Sequence, residues 1–187
     1  KSPIPEFDVR FSVAFPDVHS ISPNIASPVT FKTLDPVISS CVLKLLNPGD
    51  EIIAVDDLYG GTYRMFTRLF EKYQLKFTFV SFDDVSKISG LITDKTKLIW
   101  LETPTNPLMK LVDIKAVTEM VKGKDILVAV DNTFASPYLQ LPLDLGADIV
   151  MHSATKYLGG HSDVIAGALI IKDEALGEQL HFQQFAT

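Results

Sequence analysis

Residues 126–133 read Ile126-Leu127-Val128-Ala129-Val130-Asp131-Asn132-Thr133, five apolar residues followed by an acid, an amide and a hydroxyl. The apolar run is strand-sized and does not alternate, so it predicts a strand covered on both faces. Runs of the same kind recur at residues 51–55, 75–80, 98–101, 148–151 and 168–171. Segments with helical periodicity lie between several of them, notably 62–73, 113–121 and 174–182. Doubly covered strands that alternate with helices predict an α/β fold, a mainly parallel sheet with helices on both faces. In such sheets ligands sit beyond the carboxyl ends of the strands, which makes Asp131-Asn132-Thr133 a candidate ligand-facing segment.

The bulk properties bound the rest. The chain has 187 residues, 47% of them hydrophobic, which suits one domain with a sizeable core and leaves no room for a second. Seventeen basic residues against 23 acidic ones give a net charge of −6. With no Lys/Arg block, neither nucleic acid nor an anionic membrane is expected as a partner. The apolar runs fall well short of the roughly 18 residues of a membrane span, and the start lacks the zones of a secretory signal. Cys41 is alone, so no intramolecular disulfide can form, and a cytoplasmic location is expected.

Residues 1–40 and 41–187 differ in character. Six of the eleven prolines, Pro3, Pro5, Pro16, Pro23, Pro28 and Pro36, fall in the first segment. That spacing predicts an irregular or extended stretch. Residues 36–46 read as a helix with Asp35 as its N-cap and Pro36 in the first turn, ended by the turn Asn47-Pro48-Gly49-Asp50.

The polar segments that follow the other apolar runs carry the candidate chemistry. They are Asp56-Asp57-Leu58-Tyr59-Gly60-Gly61, Glu102-Thr103-Pro104-Thr105-Asn106-Pro107, and Ser153-Ala154-Thr155-Lys156. An acid such as Asp131 at a strand end caps a loop as readily as it binds a ligand. Its functional reading requires a buried cation, for which a protonated pyridine ring is suitable. Ser153, Thr155 and nearby N–H groups suit a phosphate, and Lys156 could attack an aldehyde to form a Schiff base. The bland alternative is an ordinary polar turn. Gly159 and Gly160 would let the backbone wrap around such a site. His152, His161 and Asp163 are read as loop-ordering residues. His19, His181, Asp56/Asp57 and Asp83/Asp84 show no metal-ligand spacing, and Tyr59-Gly60-Gly61 lacks the third glycine of a dinucleotide fingerprint.

Taken together, residues 148–163, Asp148-Ile149-Val150-Met151-His152-Ser153-Ala154-Thr155-Lys156-Tyr157-Leu158-Gly159-Gly160-His161-Ser162-Asp163, resemble the lysine signature of the Cys/Met-metabolism enzymes that depend on pyridoxal 5′-phosphate (PLP). This is the trans-sulfuration family of cystathionine γ-synthases, cystathionine β- and γ-lyases and methionine γ-lyases. Pro48-Gly49-Asp50, residues 57–62, 102–107 and 130–137 extend the resemblance, which covers 41–187. It implies the large PLP-binding domain of fold-type I, aspartate aminotransferase-like enzymes. Lys156 would then be the Schiff-base lysine and proton carrier, and Asp131 the partner of the pyridine nitrogen. Ser153 and Thr155 would hold the phosphate. Tyr59 would stack on the ring and assist catalysis, Asn106 would lie near the ring oxygen, and Thr133 would pack against the ring. Glu102 would be scaffold. The implied activity is carbon–sulfur bond chemistry on sulfur amino acids, in a homo-oligomer built from dimers.

The resemblance has gaps. The family's Ser-Gly phosphate turn would fall at Leu34-Asp35-Pro36, yet no glycine precedes Gly49. An upstream Tyr-x-Arg is missing, and so is the smaller C-terminal domain. Residues 1–40 do not match. A truncated or frameshifted product is therefore expected, and the alternative function is a catalytically inactive fragment with at most a subunit-association role.

Overall fold

The protein is described here by a computed structural model that covers residues 29–31 and 34–186. Seven strands, β1 (Val29–Phe31), β2 (Glu51–Val55), β3 (Lys76–Val80), β4 (Thr96–Glu102), β5 (Leu127–Asp131), β6 (Ile149–Ser153) and β7 (Gly167–Ile171), form one sheet. Their order is β1-β7-β6-β5-β4-β2-β3. Strands β2 to β6 are parallel, while β7 runs antiparallel to β6 and β1 antiparallel to β7. The helices are α1 (Leu34–Leu45), α2 (Gly60–Arg64), α3 (Val85–Ile88), α4 (Ile114–Val121), α5 (Ser136–Leu139) and α6 (Glu174–Ala186).

The α/β reading holds, and the edge of the sheet adds to it. Residues 154–166 contain turns and no helix, and β7 returns antiparallel beside β6 without a helical crossover. The expected irregular stretch over 1–40 is corrected at its end. Val29–Phe31 pairs with β7, and α1 begins at Leu34, which puts Asp35 inside the helix rather than at its cap. Residues 1–28, 32 and 33 lie outside the described residues. Each sequence-predicted strand is present with ends shifted by two residues at most.

Central strand β4 is buried at nearly every position, and its Trp100 is fully inaccessible. Phe66 stacks on Phe77 at 4.6 Å and meets Trp100 edge-on at 5.5 Å. Burying each such ring contributes on the order of 2–3 kcal/mol. The expected single helix over 62–73 is instead three windings: α2, a π-turn at Met65–Leu69 and a 3₁₀ turn at Phe70–Tyr73. This path keeps Phe66 and Phe70 both fully buried and within ring contact of Phe77 on β3. Gln74, at φ 64°, ends it in the left-handed region. Helix α4 starts where Asp113 accepts the Ala116 N–H at 2.9 Å, and buries Ile114, Val117 and Val121. Among the described residues no helix is long and apolar enough to cross a membrane.

From β2 the chain steps outward to β3, then returns past β2 to β4. The loops that leave β2 and β4 therefore diverge at a topological switch point, where an open parallel sheet offers a crevice. This feature positions the candidate site.

Candidate active site

The polar segments singled out in the sequence collect at the carboxyl ends of β2, β4, β5 and β6. Register sets their direction. Glu102 pairs with Asp131 across β4 and β5, and Asp131 pairs with Met151 across β5 and β6. Paired residues project from the same face, and Ser153 lies two positions beyond Met151, so Glu102, Asp131 and Ser153 share one side of the sheet. His152 projects from the other side.

Asp131, Thr133 and Ser153 are joined directly. The Ser153 N–H donates to Thr133 Oγ1 at 2.8 Å, and that hydroxyl donates to Asp131 Oδ1 at 2.5 Å. The Thr133 N–H reaches the same oxygen at 3.0 Å. Among the described residues Oδ2 accepts no hydrogen bond, and Asp131 has no cationic partner, although its side chain is only 4% exposed. Lys156 follows β6 in a turn closed by its own N–H to Ser153 O at 3.1 Å. Its side chain is exposed, and among the described residues its ammonium makes no ion pair. Gly159 is needed there: its N–H bonds Ala154 O at 2.8 Å, and a Cβ would stand 2.6 Å from that oxygen.

Thr155 is engaged elsewhere. Its hydroxyl accepts the Ala166 N–H at 3.1 Å and donates to Ala166 O at 3.3 Å, so it closes the 154–166 loop onto β7. The Ser153 hydroxyl has no hydrogen bond among the described residues. His161 Nδ1 lies 3.1 Å from Gly159 O, within its own loop.

Tyr59 precedes α2 and is 39% exposed, with its ring laid over Gly61. Its N–H donates to Glu102 Oε2 at 2.9 Å. Asn106 is half-buried in the loop after β4. That loop is anchored by Asp57, whose Oδ2 accepts from Thr105 Oγ1 at 2.5 Å and from the Leu108 N–H at 2.9 Å. A second clamp joins the β4 and β5 ends: Gln140 Nε2 donates to Asn132 Oδ1 at 2.8 Å and to Thr103 O at 3.0 Å. Sequence reading placed Asp57 and Asn132 in ligand-facing segments without giving either a role, and it did not single out Gln140. The position of Asp57 after an apolar run was its one visible signal, while Gln140 carried none.

Two buried carboxyls thus lie side by side, with no cation paired to either among the described residues. Burial raises the Asp131 carboxyl to about 6, against the pull of the two Thr133 hydrogen bonds. Burial, and then the charge of Asp131, raise Glu102 to about 8, while the backbone of Tyr59 and Asn106 draws it back. On the other face His152 is 2% exposed with Nδ1 unpartnered, and burial lowers it to about 4, so it is neutral at pH 7. A cation introduced beside Asp131 would relieve the strain of this acid pair.

Fold and site define an α/β protein with buried acids gathered at the carboxyl ends of a mainly parallel sheet, beside its switch point. The chain belongs to the Cys/Met metabolism PLP-dependent enzyme family, whose model matches residues 34–187. It is 52% identical over 143 residues to a cystathionine gamma-lyase of Dictyostelium discoideum, a match over 76% of this chain and 37% of that protein. It is 49% identical over 147 residues to a cystathionine gamma-synthase of Mycobacterium tuberculosis, over 78% and 38% respectively. The crystal structure of a cystathionine gamma-lyase from Lactobacillus plantarum, complexed with L-serine, superimposes with a TM-score of 0.85 at 43% identity, covering 90% of this chain and 44% of that one. The chain therefore spans about two-fifths of the length of the relatives it matches. The family resemblance drawn from the motifs holds, and with it the family's dependence on PLP.

Proposed function

We propose that residues 41–187 are the cofactor-binding core of a PLP-dependent enzyme that makes or breaks carbon–sulfur bonds in amino acids, of the cystathionine γ-synthase or β-/γ-lyase type. The observation that carries this reading is Asp131: a carboxylate 4% exposed that, among the described residues, is hydrogen-bonded through one oxygen and has no cationic partner. A protonated pyridine nitrogen fits that position chemically. Bound PLP would supply an electron-accepting ring that eases removal of a proton next to the amino group.

The chain's own residues take these roles. Asp131 holds the ring nitrogen, and Thr133 fixes the Asp131 carboxylate in place. Lys156, at the neighbouring strand end, would hold the cofactor and carry the proton at its Nζ. Tyr59, beside the end of β2, would stack on the ring, and Asn106, in the loop after β4, would lie near the ring oxygen. Ser153 offers its hydroxyl to the phosphate. Thr155 contributes chiefly through the loop that it closes on Ala166. Self-association with a second copy, an amino-acid substrate and a cytoplasmic location belong to the same reading.

A second reading, a chain that keeps the fold but does not load the cofactor, is favoured by one feature. Helix α1 opens with Leu34-Asp35-Pro36, where Pro36 offers no N–H to a phosphate. One experiment separates the two. Purified protein is incubated with PLP, reduced with borohydride and mapped by mass spectrometry. A pyridoxyl adduct on Lys156 supports the enzyme reading, whereas no adduct, or adducts scattered over exposed lysines, supports the silent chain.

A further inference from the structure

The two strands that flank the switch point are cross-tied above the sheet by a reciprocal pair of carboxyl groups. Asp57, in the β2 loop, reaches to the β4 loop and accepts from Thr105 Oγ1 and the Leu108 N–H. Glu102, at the end of β4, reaches back and accepts the Tyr59 N–H. The Thr105 hydroxyl also accepts the Lys110 N–H at 2.9 Å, while the Thr105 N–H donates to Lys110 O at 3.0 Å, so the loop is pinned around Asn106. Asp57 is 9% exposed, Glu102 5%, and Thr105 is fully buried. The nearest lysine pairing goes to Asp56 instead, from Lys110 Nζ at 3.6 Å.

Buried acids without cations are an expensive way to brace a loop, since a main-chain contact or a neutral amide would do the same with less desolvation. Both acids nevertheless bridge the β2 and β4 loops, each accepting hydrogen bonds from the opposite loop. Tyr59 lies two residues after Asp57, and Asn106 lies between the two residues that Asp57 grips. We propose that Asp57 and Glu102 are positioning residues, reciprocal struts that fix the gap between the Tyr59 ring and the Asn106 side chain and so set how firmly a flat cofactor ring is gripped. This inference rests on the cofactor reading given above.

The test compares the full chain with Asp57→Ala, Asp57→Asn, Thr105→Val and the double variant Asp57→Ala/Thr105→Val. Two quantities are read: the PLP affinity from absorbance titration and the amide exchange rate at Leu108. Removal of a buried hydrogen bond to a charged acceptor predicts about tenfold weaker PLP binding and faster Leu108 exchange in Asp57→Ala. Asp57→Asn keeps an acceptor oxygen and should recover most of the affinity. The double variant should lose clearly less than the sum of the two single losses, because both changes cut one strut while Thr105→Val alone also removes the acceptor of the Lys110 N–H. Unchanged affinity in Asp57→Ala, or fully additive losses, would overturn the proposal. If Asp57→Ala does not fold, Thr105→Val decides alone: a severalfold loss supports the strut and wild-type affinity refutes it. If the unsubstituted chain gives no Lys156 adduct, the cofactor reading fails and the positioning role fails with it.

Discussion

Replacing Thr133 by Val isolates the bonds that join β5 to β6 at the site. The two side chains have nearly the same volume, so no cavity opens. Two hydrogen bonds disappear: the 2.5 Å bond to Asp131 Oδ1 and the 2.8 Å bond from the Ser153 N–H. The 3.0 Å bond from the Thr133 N–H stays. A hydrogen bond to a charged group contributes about 1.5–3 kcal/mol, and an orphaned buried N–H costs about 1–3 kcal/mol. Thr133 is half-buried, so water replaces part of both, and the lower ends sum to about 2.5 kcal/mol. With a urea slope of about 2 kcal/mol/M, the unfolding midpoint falls by about 1.2 M. Thr133→Ser keeps the hydroxyl and should lose less than about 0.5 M on the same scale. Urea unfolding followed by Trp100 fluorescence measures both. Equal losses for Val and Ser, or a Val shift below about 0.5 M, would refute the claim that this hydroxyl ties the two strand ends together.

Three further outcomes follow from named contacts. Glu102 is raised to about 8 in the folded chain, so its contribution to stability is fully present below its unfolded value near 4.5 and is lost as pH rises through 8; Glu102→Gln, which keeps an acceptor for the Tyr59 N–H, should flatten the pH–stability curve between pH 5 and 8 and gain on the order of 2–3 kcal/mol at pH 8, and an unchanged curve would count against the acid pair. Gly61→Ala places a Cβ 2.4 Å from Tyr59 Cε1, a movable ring, so the urea midpoint should hardly change while PLP affinity falls severalfold as the ring shifts; unchanged affinity would remove Tyr59 from the cofactor's surroundings. Gly159→Ala instead meets the fixed Ala154 carbonyl at 2.6 Å, so it should cost about 1–3 kcal/mol in urea unfolding and reduce the yield of the Lys156 adduct, and a neutral result would show that the turn can relax.

Much of this was legible in the residues themselves. Apolar runs such as 126–130 fixed the strands because a doubly covered strand tolerates few polar groups, and each run pointed to the polar segment after it. The lysine turn, Asp131 and the family motifs followed from local spacing. What could not be read was set by register and by distant partners. Nothing local announces that Glu102 stands opposite Asp131, since that pairing depends on how β4 and β5 align. Thr155 reads as a phosphate ligand from its neighbours in sequence, and nothing local shows that its hydroxyl also meets Ala166 across a loop. The π-turn at Met65–Leu69 arises from tertiary demand, with Phe66 and Phe70 both buried against β3, and helical periodicity alone does not predict it. Similarly, the helix start at Leu34 rather than Pro36 overrides a favourable capping pattern.

The central claim is that Asp131 and Lys156 serve one ring, and nitrogen-15 NMR of the chain loaded with ¹⁵N-labelled PLP addresses it directly. The account predicts that the ring nitrogen is protonated at neutral pH in the unsubstituted protein and loses that proton in Asp131→Asn, with the label still attached through Lys156 in both. An identical ring-nitrogen shift in the two proteins would contradict it.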